Sequence, residues 1–447
     1  MMRAKQGGAP TGPSSTRRWW PKLILVSGLA LTGISFISAQ QPDDDDPYLN
    51  YTSSAGLKDP ITKLQADIDS GKVKLKYDPE KGYLVSMMEA LNINPDTQTL
   101  VWSKTSSQLD NTSPKQPRAL YYNDTAYIGW AQHDGLLDLV GMDPIKGPIF
   151  FTLEQKESAK PRFQRDVSCM NCHASNKTMN LPGLVIRSVF ATSEGRARQQ
   201  LPTFIAGHNN PLKERWGGWY VTGKHGDDTH MGNAFLYGQD PHKPLDLTAN
   251  SNITDLSDRF DTSKYLVATS DTVALMVLDD SVRMESMILR AQVAALHVMN
   301  DPLYNKKPEA DKQRIISTAA EPLLAYLLFR DEAPLQGPIT GTNDFAKRFE
   351  TLGPFDSKGR SLREFDLQKR LFKYPCNYHI YTPGFDGLPD VMKTYLYRRM
   401  DEILTGKDQS RLYKDMDPTD RRNVLEILLD TKPDFKAWMV TNDPTHA

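Results

Sequence analysis

SCMNCHAS, residues 168–175, holds two of the three cysteines in this 447-residue chain and one of its nine histidines. Cys169 and Cys172 stand three apart, and His173 follows directly. Two thiols at that spacing on one turn reach the two vinyl groups along one edge of a porphyrin and form thioethers with them. The histidine behind them then lies beneath the ring and offers its imidazole to iron. Three rival chemistries compete: a metal knuckle, a redox dithiol and chance. A zinc site needs two more ligands at close spacing, yet Cys376 lies far downstream and no His-x-x-x-His follows. A thioredoxin-like dithiol sits after a strand in a βαβ setting, and the flanks here read as loops. With three cysteines and nine histidines in the chain, the pattern arises by chance roughly 0.0004 times. The expected cofactor is one covalent haem c, bound at Cys169, Cys172 and His173, with His173 as an iron ligand.

The residues that follow fit this chemistry. Asn180-Leu181-Pro182-Gly183-Leu184 resembles the Pro-containing loop whose backbone carbonyl accepts the imidazole N–H of a haem histidine and fixes its orientation; a simple turn is the plainer reading. The iron's sixth ligand is sought in residues 216–234, WGGWYVTGKHGDDTHMGNA. That stretch offers tryptophans to pack a porphyrin, glycines that permit close approach, and three competent ligands. Met231 is the first choice on spacing, with His230, His225 and an open position as alternatives. The remaining histidines read differently. His208 and His242 fall in loose polar loops, His446 in the tail and His133 in a turn; His297 and His379 sit in segments that read as core. Cys376, among Tyr374, Tyr378 and Tyr381, reads as a buried small hydrophobe or, as a minority view, part of a radical site.

The elements that must position these groups follow from periodicity. Ile61, Leu64 and Ile68 recur at helical spacing, and a second apolar run covers residues 83–90. From Thr99 the period changes to short β-rich runs, TLVWSKTS, RALYYN, TAYIGWAQ, GLLDLVGM and GPIFFTLEQ, separated by turn dipeptides. This predicts an antiparallel meander that delivers the chain to the cysteines. Residues 174–250 are irregular, residues 275–333 helical again, and the last hundred alternate helices with Gly and Pro. The expected class is α+β: a β meander lobe and a helical lobe with a loop-rich haem region between them. The expected boundaries are 1–39 signal peptide, 40–56 acidic spacer, 57–160 β-rich lobe, 161–250 haem-binding region and 251–447 helical lobe.

Residues 1–39 place the chain outside the cytoplasm. Arg17, Arg18 and Lys22 precede an apolar run, Leu23 to Ile37, and the small pair Ser38-Ala39, the layout of a secretory signal cut after Ala39. A retained membrane anchor is the alternative, although the run is short for a spanning helix. Cleavage removes five basic residues and no acidic ones, moving the net charge from −1 to −6, so no basic surface calls for nucleic acid. The stretch QQPDDDDPYLN that follows reads as a solvated, extended spacer.

At this point the chain resembles a family of exported, mostly uncharacterised bacterial cytochrome c domain-containing proteins that carry one C-x-x-C-H. The likeness runs over most of the mature chain, through LVWSKTSSQ, DVSCMNCHAS, LPGLVIRSVF, RWGGWYVTGKHG, HMGNA and LFKYPCNYHIYTPGFDGLP. It implies haem at Cys169, Cys172 and His173 and a periplasmic place, and it brings no known substrate. Members of that family often carry Glu-His-Gln where this chain has Asp279-Asp280-Ser281, so any metal role of that histidine is absent or moved here. The function expected is a periplasmic monohaem cytochrome that transfers electrons to or from a redox partner protein. The alternatives are a haem-dependent oxidoreductase with a substrate pocket over the haem and a gas-binding sensor. No Ser-His-Asp, Walker or Rossmann pattern offers another chemistry.

Overall fold

The computed structural model describes residues 46–106, 108–133, 135–237 and 245–442. The signal segment, the spacer as far as Asp45, His242 and His446 lie outside the described residues.

The predicted meander forms. Strands β1 (Thr99–Val101), β2 (Arg118–Tyr122), β3 (Ala126–Trp130), β4 (Leu136–Asp143) and β5 (Gly147–Glu154) pair in sequence order, all antiparallel. Two short strands extend it. β6 (Phe163–Arg165) pairs with β5, and after the hairpin of β7 (Arg187–Val189) and β8 (Thr203–Ile205), β9 (Trp219–Tyr220) pairs with β1. The sheet order is therefore β6-β5-β4-β3-β2-β1-β9. The class is α+β.

The register sorts the side chains onto two faces, because successive residues of a strand point to opposite sides. One face carries Ala119, Tyr121, Ile128, Leu139, Ile149 and Phe151 and packs against two N-terminal helices, α1 (Pro60–Asp69) and α2 (Leu84–Leu91). In α1 the buried residues are Ile61, Leu64 and Ile68, the trio whose spacing predicted the helix. The other face carries Arg118, Leu120, Tyr127, Gly129, Asp138 and Phe150. It receives α3 (Met170–His173) and the long α4 (Thr272–Asn300), whose N-cap Asp271 accepts from Val273 N and Ala274 N. Tyr122 Oη donates to Ala274 O at 2.6 Å and Tyr127 Oη to Glu285 Oε1 at 2.8 Å, fastening α4 to the sheet.

Beyond α4 lie α5 (Pro302–Asn305), α6 (Glu309–Leu327), α7 (Phe345–Glu350), α8 (Pro383–Asp386), α9 (Asp390–Leu404), α10 (Pro418–Thr431) and α11 (Pro433–Asn442). Helix α4 is thus sandwiched between the sheet and α6, which explains why its first twenty residues are buried nearly all round. The end of the expected spacer differs from its reading. Asp46 accepts from Tyr48 N, Leu49 N and His297 Nε2, and Leu49 and Tyr51 enter the core, so the chain is anchored from Asp46 onward. Two apolar side chains worth about 2 kcal/mol each when buried outweigh the solubility of the preceding aspartates. His297, expected in the core, sits half-buried on the last turn of α4 as the partner of Asp46. Among the described residues no helix is long and apolar enough to cross a membrane.

Candidate haem-attachment site

Asp166 ends β6 and caps the 3-10 turn Val167–Cys169, its carboxylate accepting from Ser168 N at 2.9 Å. Helix α3 follows without a break, so Cys169 to His173 form one helical stretch, and residues three apart share a face of it. Met170 is buried and pins the turn to the core, while Cys169 is half-buried and Cys172 exposed. Neither is in a disulfide.

His173 is held from two sides. Its Nδ1–H donates to Gly183 O at 2.9 Å, and Gly183 N donates back to His173 O at 2.8 Å. Its ring packs on Phe150 of β5 at a centroid distance of 4.7 Å. Gly183 has to be glycine: a Cβ there would lie 2.9 Å from Thr178 Cβ and 3.1 Å from Ser286 Oγ. The carbonyl expected from the 180–184 loop is therefore that of Gly183. The bond places the imidazole proton on Nδ1 and leaves the Nε2 lone pair for a ligand. Burial lowers the His173 pKa, which keeps the ring neutral and able to ligate.

The electrostatics bear on the rivals. Burial, with the charges of Asp166 and Asp138, pushes the Cys169 thiol up to about 12. A redox dithiol needs a readily ionised nucleophile, and this thiol resists ionisation. Among the described residues no group of three or more His, Cys, Asp or Glu side chains is placed to hold a metal ion. Two thiols on one face and a neutral imidazole with its proton fixed are a donor set that fits haem c.

The three candidate sixth ligands sit together among Ser188, Trp216, Asp228 and Asn252. His225 is closed to iron, because its Nδ1–H donates to Asp228 O at 2.6 Å and its Nε2 accepts from Asn252 N at 3.0 Å. His230 is buried against Trp216 and His225, and burial lowers its pKa to about 3. Met231 is 2 % exposed, with its sulfur accepting from Ser188 Oγ at 3.5 Å. Among the described residues, none of the hydrogen bonds or ring contacts of these three reaches the Cys169–His173 turn. Cys376 is fully buried, with no thiolate at neutral pH, since burial drives its pKa far upward.

A buried polar array on α4 was not foreseen. His208, expected in a loose loop, is 1 % exposed and stacked on Tyr326 at 3.7 Å. Its Nδ1–H donates to Asp280 Oδ1 at 2.7 Å; Asp280 Oδ2 accepts from Asn377 Nδ2 at 2.6 Å; and Asn377 Oδ1 accepts from His379 Nδ1 at 2.9 Å. The neighbouring Asp279 accepts from the indole of Trp216 at 2.8 Å. The two aspartates that replace an apolar pattern inside a buried helix were the available signal; their partners are 72 and 97 residues away.

One turn further on, burial raises the Glu285 pKa to about 8. Between about 4.5 and 8 the folded chain holds this proton and the unfolded chain releases it, so rising pH favours unfolding. The Glu285→Gln variant lacks this titration. Urea unfolding at a series of pH values should show the variant gaining stability over wild type as pH rises to about 8, with a constant difference above it. A pH-independent difference would contradict the protonated state assigned to Glu285.

Comparison with protein-family profiles, with curated proteins and with solved structures finds no match to this chain.

Proposed function

We propose that the chain is an exported c-type haem protein that transfers electrons to or from a redox partner protein. The observation that carries this reading is the His173 Nδ1–Gly183 O bond behind two thiols on one surface turn. Each thiol would add across one vinyl group, sulfur to one carbon and its proton to the other. The haem, once bound, supplies an iron that cycles between two oxidation states. This chain's own residues hold it: Cys169 and Cys172 tether one porphyrin edge, and His173, aimed by Gly183, offers Nε2 to the metal. Cys172 is exposed, so a porphyrin edge tethered to it would be open to a redox partner. The resemblance to cytochrome c domain-containing proteins supports the same reading and the periplasmic location.

A second reading, an oxidoreductase or gas sensor with an open iron position, is favoured by the bonds that engage both nitrogens of His225 and by the burial of Met231 against Ser188. Carbon monoxide added to the reduced protein tests the two. Under electron transfer with Met231 as sixth ligand, wild type leaves its spectrum unchanged and Met231→Ala binds the gas. Burial holds Met231 more than the weak Ser188–sulfur bond does, so ligation would have to draw it out of its packing. Immediate binding by wild type favours the open-site reading.

A further inference from the structure

The face of the sheet beside His173 is unfinished. Leu120, in the middle of the seven-stranded sheet, is only half-buried, and Leu109, Leu136 and Val167 are exposed. Leu120 and Leu136 share the face that carries Phe150, the ring under His173; Leu109 follows Gln108, whose Nε2 donates to Asp138 on that face at 3.0 Å; Val167 precedes Cys169 by two residues. Apolar side chains in this setting ordinarily gain a cover.

Charge lies at the same place. Arg118 Nη2 donates to Asp138 Oδ2 at 2.6 Å, two register positions from the pair that bears Phe150 and on the same face. The guanidinium lies over Gly129, where any Cβ would collide with it, and Arg118 Nε is buried with no hydrogen-bond acceptor among the described residues. An arginine that spends one donor on Asp138 and buries another without an acceptor can take a second carboxylate.

We propose that this patch is the bed of the porphyrin tethered at Cys169 and Cys172, with Arg118 as the cation for a haem propionate. The inference rests on the covalent-haem reading. The tether commits the occupant, because a group joined to both thiols covers the surface next to them. Gly129 leaves the room that the guanidinium occupies, and Asp138 holds it in place.

The test is the midpoint potential of the haem-bearing full chain by redox titration, with haem-stained denaturing gels alongside. A positive charge near the iron favours the ferrous state and a negative one the ferric state. Arg118→Gln should lower the potential, Asp138→Asn should raise it, and Arg118→Lys should fall between wild type and Arg118→Gln, while all three keep the stained band. Unchanged potentials, or shifts of the same sign for Arg118→Gln and Asp138→Asn, overturn the assignment. If Arg118→Gln does not fold, Asp138→Asn and Arg118→Lys carry the decision on the same criterion. An unstained wild-type band would instead remove the covalent haem itself, a separate failure.

Discussion

Replacing Cys169 and Cys172 together by Ala should abolish the haem-stained band of the denatured protein. The effect is expected to be complete, because thioethers alone survive denaturation while iron–histidine bonds do not. The single replacements should each leave a weaker band, since one thioether remains. His173→Ala should behave differently: covalent staining persists in part, but the ligand whose orientation Gly183 sets is gone and the spectrum changes spin state. A band of full strength in the double variant would contradict the attachment.

The second large effect is on stability. Asp280→Ala strips the acceptor from both His208 Nδ1 and Asn377 Nδ2 at the centre of α4, leaving two buried donors unpaired. Each buried donor left unpaired costs about 1–3 kcal/mol, and the urea midpoint should fall accordingly. Asp280→Asn should cost less. Its Oδ1 can keep the bond from Asn377 Nδ2 while its own Nδ2 faces His208 Nδ1, a clash relieved when His208 moves its proton to Nε2. His208 Nε2 has no hydrogen-bond partner among the described residues, so the shift breaks no existing bond. If Asp280→Asn proves as damaging as Asp280→Ala, the array is held by charge rather than by donor and acceptor matching.

Much of this architecture is legible in the sequence because its signals are local. Ile61, Leu64 and Ile68 mark α1 by spacing alone, and five β-rich runs between turn dipeptides become β1 to β5. The loop carbonyl behind His173 is readable for the same reason, ten residues from its partner. Strands β6 and β9 escape notice because two or three residues leave no periodicity. Pairing between β9 and β1 joins positions more than a hundred apart, which no window reveals. His208 looks like a loop residue in Gly-His-Asn-Asn because its environment is made by Asp280 and Tyr326 from distant helices. The competence of His225 as a ligand likewise depends on Asp228 and Asn252, whose folding around it occupies both nitrogens.

The most direct test of covalent haem attachment is the mass of the intact, denatured protein, produced in a host that attaches haem outside the cytoplasm. The account predicts a mature chain heavier by one haem, with the added mass retained after acid–acetone extraction and located on the peptide that spans residues 166–177. A chain of unmodified mass under those conditions, or haem that leaves on extraction, would contradict it.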